Sequence, residues 1–221
     1  MILNDLLVEI GETALHYGRN PKEISLVAVT KGRPLNDILT LYQEGQRDFG
    51  ESRCLEGLKR QSLMPADCRW HLIGHLQGNK VSKAIGPFTL IHSVDSLKLA
   101  KHISQASQQA NVTTSVLLQA NISQESSKSG LTAAGWKAEL PSLLHLPALS
   151  IEGLMTMAPQ GASEKQARHC FSSLRILRDE LQEAAGSSVR LHHLSMGMSD
   201  DFRWAIAEGA TLLRIGRRLF L

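Results

Sequence analysis

Tyrosine, cysteine and long apolar runs are scarce in this chain, and each scarcity closes off a class of function. Of 221 residues, two are tyrosine and three are cysteine. Cys54, Cys68 and Cys170 are odd in number, widely spaced and never in a C-x-x-C pair, which argues against a disulfide framework or zinc site and for a reducing compartment. No apolar run approaches the length of a membrane span, so no membrane partner is expected. The opening "MILNDLLVEIGE" carries Asp5 and Glu9 and no basic leader, so it is not read as a signal peptide, and a cytoplasmic protein is expected. A net charge of +3, without basic runs interleaved with aromatics, gives no reason to expect nucleic acid.

What is present is an ordinary globular composition, 43% hydrophobic and 20% charged, with enough chain to bury a core without staples. Residues 2 to 17 space Ile2, Leu3, Leu6, Leu7, Ile10, Ala14 and Tyr17 as a helix, and "GRNP" stops it. Eight strand candidates follow: 25–30, 47–51, 69–74, 89–94, 114–121, 149–157, 189–196 and 211–216. Helical patterns lie between them, including "LNDILTLYQEG", "DSLKLAKHISQASQQA" and "SEKQARHCFSSLRILRDELQEAA". Strands alternating with helices imply parallel pairing with right-handed crossovers, and eight units suggest a closed (β/α)8 TIM-type barrel, compact beside the usual length of about 250 residues. An open doubly wound sheet is the alternative. Only five residues follow the last strand, so the N-terminal helix is expected to take the place of an eighth outer helix. Pro141 is expected to split the helix after the fifth strand in two. The reading is one domain over 1–221, a helix at 1–20 and a barrel at 21–221.

Active sites of parallel barrels lie where the strands end. Those positions offer Lys31, Glu51 with Ser52, Gly74 with His75, Ser93 with Asp95, Asn121, Met155 to Pro159, "SMGMS" at 195–199, and Arg214 with Gly216. A lysine after a buried strand is either solvated or a Schiff-base amine. In the second case a partly desolvated mouth with nearby cations would lower its ordinary pKa of about 10.4 toward a nucleophilic form. That chemistry serves a cofactor-free aldolase as well as a pyridoxal phosphate (PLP) protein. The glycine and hydroxyl groups of "SMGMSDDF", before a helical run, and the turn at "RIG" are anion sites by the logic of exposed backbone N–H groups. Alternation puts Arg214 on one face with Leu212 and Gly216, and if that face is turned into the barrel the arginine needs an acceptor. A carboxylate such as Glu51 would serve, and so would a pyridine nitrogen, which an arginine keeps unprotonated.

The segments "LVAVTKGRP", "GQRDFGESR", "WHLIGHLQGNK", "LIHSVDS", "SKSGL", "GLMTMAP", "LSMGMSDDF" and "LRIG" run in order from about residue 25 to 220. They closely resemble the pyridoxal phosphate homeostasis protein family, which is similar to the N-terminal barrel of alanine racemase. The resemblance implies PLP held as a Schiff base on Lys31, with Arg214 facing the pyridine nitrogen and Ser199 and Gly216 at the phosphate. It places His75, Asn121 and Met196 around the cofactor. Two positions depart from the family pattern. Ser52 stands where asparagine is usual, shortening a side-chain contact, and Arg217 stands where a small residue usually reaches the phosphate.

PLP supplies an electron sink, and an arginine at its nitrogen makes that sink weak. Racemases with such an arginine add positioned acid and base groups, but here Tyr17 and Tyr42 fall in predicted helices away from the strand ends. Part of an alanine racemase site lies on a second domain, which a chain of this length is expected to lack. The expectation is therefore a monomer or weak dimer that stores, buffers or delivers PLP, with apo PLP-dependent enzymes as partners. An amino-acid racemase or decarboxylase is the alternative, and a cofactor-free Schiff-base aldolase the third. Elsewhere, His71 and His75 have H-x-x-x-H spacing without the glutamate of a zinc motif. His192 and His193 read as opposite faces of one strand, Lys128 as a loop lysine near the mouth, and Glu51 with Asp95 as an acid/base option.

Overall fold

The computed structural model describes residues 2–123, 125 and 129–220. Eight parallel strands close into one barrel in sequence order. They are β1 (Ser25–Val29), β2 (Asp48–Glu51), β3 (Arg69–Leu72), β4 (Leu90–Val94), β5 (Thr114–Gln119), β6 (Leu149–Met155), β7 (His193–Ser195) and β8 (Leu212–Ile215). Closure is made by β1 against β8, with Val27 beside Arg214 and Ala28 beside Ile215. The helices are α1 (Ile2–His16), α2 (Leu35–Gln43), α3 (Cys54–Gln61), α4 (Val81–Ala84), α5 (Leu97–Gln109), α6 (Ala133–Leu144), α7 (Glu164–Ala185) and α8 (Phe202–Ala207).

The strands are short apolar runs because both their faces are covered. Outward residues such as Leu26, Ala28, Phe49, Leu72 and Ile91 join the helices in a large apolar shell, whereas Leu90, Leu117, Met155 and Leu212 form a separate cluster inside the barrel. Helix α1 does cover the gap after β8. It buries Leu3, Leu6, Ile10 and Ala14, packs on α8, and Glu9 Oε2 accepts from Arg218 at 2.5 Å.

Two sequence expectations are corrected. Pro141 does not divide its helix, for α6 runs unbroken through it. Pro141 and Lys137 one turn before it are both exposed, so the carbonyl that loses its N–H partner stays open to solvent. The seventh strand is only three residues long and begins at His193, so strand alternation does not extend to His192. The two rings lie against each other instead, tilted by 44° with centroids 3.8 Å apart. Burial pushes the His193 imidazole down to about 4, keeping it neutral.

Candidate functional site

At the C-terminal end of the strands a cavity of about 220 Å³ brings together Lys31, Ser52, Ser199, Arg214, Gly216 and Arg217. Val29, Ile73, Met157, Met198, Asp200 and Asp201 complete its wall. Two glycines shape it. A Cβ on Gly74 would lie 2.2 Å from the Ser52 carbonyl oxygen, so only glycine lets β3 end against the Ser52 backbone. Gly197 has φ +92° and faces Ala205, where a Cβ would lie 2.6 Å from the alanine methyl.

The other three expected residues lie elsewhere. His75 is exposed and bonds Asp95 at 3.0 Å, lining a neighbouring pocket of about 480 Å³ that shares Ser52 with the cavity. Asn121 is half-buried and donates to the Glu125 carbonyl at 2.9 Å. Met196 is fully buried in the apolar shell. Lys128 falls outside the described residues. His71 does not join His75, and no cluster able to hold a metal occurs among the described residues. Glu51 and Asp95 have separate partners, Glu51 with Thr30 and Arg60, Asp95 with His75 and Ser96.

Arg214 is buried inside the barrel, on the face it shares with Leu212. Its acceptors are Ser195 Oγ at 2.5 Å and the Thr156 carbonyl at 2.9 Å, while Glu51 pairs with Arg60 instead. Nε carries no hydrogen bond among the described residues. Burial lowers the guanidinium to about 10, opposed by Asp201, so it stays a cation at neutral pH. Asp201 is raised by burial and held by the Met198 N–H at 2.6 Å and by Arg214. Its place before α8 makes it legible as a helix-start aspartate, although its side chain turns back to Met198 rather than capping the helix.

The expected anion site shifts slightly. Helix α8 is short, and its Phe202 N–H already bonds the Met198 carbonyl. The N–H groups of Ser199, Gly216 and Arg217, all on cavity-lining residues, carry no hydrogen bond among the described residues. Unbonded N–H groups on residues lining one cavity suit an anion. The Arg217 side chain pairs with Asp200, both exposed at the rim.

Behind Arg214 a series of hydrogen bonds crosses the barrel interior. Ser195 Oγ meets His92 Nδ1 at 2.8 Å, His92 Nε2 meets His71 Nδ1 at 2.9 Å, and His71 Nε2 meets Asp48 Oδ1 at 3.1 Å. Arg69 closes the far end by donating to both oxygens of Asp48, at 2.7 and 2.6 Å. Burial holds His92 well below the usual imidazole range. Burial pushes Asp48 up, but bonds from His71 and Arg69 outweigh it and lower the carboxyl to about 2. A lowered carboxyl adds stability that is present above its unfolded pKa and lost as pH falls through the folded value. Asp48→Asn is therefore expected to remove about 1–2 kcal/mol at pH 7, after allowance for solvent screening, and to flatten the stability curve between about pH 4 and 2. Urea unfolding across that range measures it.

The N-terminal domain family of alanine racemase matches residues 19–221. The pyridoxal phosphate homeostasis protein of Aquifex aeolicus is 39% identical over 219 residues, covering 99% of this chain and 95% of its own. PipY of Synechococcus elongatus, solved with PLP bound, is 38% identical with a TM-score of 0.85, covering 96% of this chain and all of that one. Alanine racemase of Clostridium difficile shares the fold at 16% identity, with a TM-score of 0.75, 97% of this chain and 56% of that one. By sequence and by barrel, the chain belongs to the pyridoxal phosphate homeostasis protein family.

Proposed function

We propose that this protein holds PLP as a Schiff base on Lys31 and serves PLP homeostasis by storing, buffering or delivering it, without strong catalysis of its own. The observation that carries the reading is one cavity that joins a strand-end lysine, a buried arginine and unbonded backbone N–H groups. Those groups match the aldehyde, pyridine and phosphate ends of PLP. The PLP-bound neighbour at 38% identity supports the same reading.

When bound, PLP supplies an electron-withdrawing ring whose strength depends on the group facing its nitrogen. Lys31 contributes the attaching amine. Arg214 would face the nitrogen as a donor that keeps its proton, which would leave the ring a weak sink. Ser199, Gly216 and Arg217 offer N–H groups to the phosphate. Of the remaining expected contacts, Ser52 lies in the wall, whereas His75, Asn121 and Met196 act at most from outside it.

Weak catalysis is supported by the cavity wall, which among the described residues holds no tyrosine, histidine or cysteine, while its carboxylates are engaged, Asp201 by the Met198 N–H and Asp200 by Arg217. Tyr42 is spent on Asp67, at 2.8 Å, on the outside of the barrel. The open rim also leaves the site in contact with water, which favours exchange over chemistry. Apo PLP-dependent enzymes are the acceptors this role calls for.

The purified protein is expected to be yellow, and borohydride followed by peptide mapping is expected to place the pyridoxyl group on Lys31. Label on another residue would overturn the assignment. Across a panel of amino acids, racemisation and decarboxylation are expected to stay near background, and substantial turnover of any one would favour the enzyme reading. Transfer to an apo-enzyme faster than free release explains is the expected sign of delivery.

A further inference from the structure

Arg214 and the four hydrogen-bonded groups behind it come from β8, β7, β4, β3 and β2, and the link from His92 to Ser195 joins strands that are not neighbours in the sheet. We propose that Ser195, His92, His71 and Asp48 form a one-way relay that positions and polarises Arg214, so that the electronic state of bound PLP is set partly from the opposite end of the barrel, where β2 and β3 begin. The inference rests on the reading that Arg214 faces the pyridine nitrogen.

The polarity follows from the two ends. Arg214 can only donate, and an ionised Asp48 can only accept. His71 Nε2 faces the carboxylate and must carry a hydrogen. If His71 holds only that hydrogen, it accepts at Nδ1 and His92 Nε2 donates to it. His92, neutral because it is wholly buried, is left with an acceptor at Nδ1. The Ser195 hydroxyl fills that acceptor with its only proton, leaving its lone pairs to Arg214. With a single hydrogen on each imidazole the links all run one way, and each bond polarises the next in the low-dielectric interior. Arg214 Nη1 is thereby held by an oxygen whose proton is drawn away, and Nη2 by the Thr156 carbonyl. With both outer nitrogens tied, the guanidinium keeps one orientation. The four relay residues are positioning residues, for among them only the serine touches Arg214.

The test begins without PLP. Nitrogen-15 NMR of the histidine rings in the cofactor-free protein is expected to find the hydrogen on Nε2, and a bare Nδ1, in both His71 and His92. A hydrogen on Nδ1 of either ring overturns the relay. In PLP-loaded protein, Asp48→Asn is expected to shift the absorption maximum and speed PLP release roughly 2- to 10-fold, the worth of one hydrogen bond. Ser195→Ala, which cuts the relay beside Arg214, is expected to do the same. Adding Asp48→Asn to Ser195→Ala should then change nothing further. Additive effects, or an unchanged spectrum in Asp48→Asn, would overturn the coupling while wild-type loading at Lys31 stands. Wild-type protein that takes up no PLP would instead overturn the functional reading, and the tuning role with it.

Discussion

Alanine at Lys31 is expected to abolish both the visible band of the loaded protein and the borohydride-fixed label, while moving the unfolding free energy by no more than about 0.5 kcal/mol. The contrast follows from where the side chain sits. Lys31 is exposed and makes no hydrogen bond or ion pair among the described residues. The chain around it is held by backbone bonds, Thr30 N–H to the Gly50 carbonyl at 3.1 Å and Arg33 N–H to the Thr30 carbonyl at 3.0 Å. Removing the amine therefore costs no packing and no partner. Lys31→Arg is expected to fail equally at labelling although it keeps the charge, because a guanidinium does not take the place of a nucleophilic amine. Absorbance, mass after borohydride and urea unfolding measure the set. A Lys31→Ala protein that keeps the band would remove the central residue of the proposed function.

How much of this was legible in the sequence depends on the range of the signal. Strand alternation is local, so it places Lys31 at a strand end and Arg214 on one face with Leu212 and Gly216. The turn chemistry at 195–199 and 214–216 is equally local, and both turns line the cavity. The acceptors of Arg214 were less accessible. Ser195 lies 19 residues away on β7 and the Thr156 carbonyl 58 residues away after β6, and barrel closure alone brings them together. His92 is hidden inside "LIHSV" because nothing local separates a relay histidine from a packed one. His71 drew attention only for its spacing to His75, whereas its partners are His92 and Asp48. Pro141 misled because the local rule against helical proline does not register that its face of α6 is exposed.

The second large effect is expected one residue before Lys31. Glu51 ends β2, is wholly buried, and accepts from the Thr30 hydroxyl, while Arg60 Nε from α3 lies 3.1 Å from the same oxygen. Burial pushes this carboxyl up, opposed by Thr30 and Arg60. A raised carboxyl binds its proton more tightly when folded, so its contribution to stability falls as pH rises from the unfolded value through the folded one. Glu51→Gln removes that decline and keeps an acceptor for Thr30, so it is expected to stay within about 1 kcal/mol of wild type at pH 7. Glu51→Ala is different, for it strands the mostly buried Arg60 and the fully buried Thr30 hydroxyl together. Breaking a buried pair from one side costs about 3–5 kcal/mol, the loss expected in urea unfolding. Because Thr30 anchors the chain that carries Lys31, Glu51→Ala is also expected to release PLP faster, and Glu51→Gln to release it at nearly the wild-type rate. Equal destabilisation by both substitutions would show that side-chain volume, rather than the Thr30 and Arg60 bonds, holds this strand end in place.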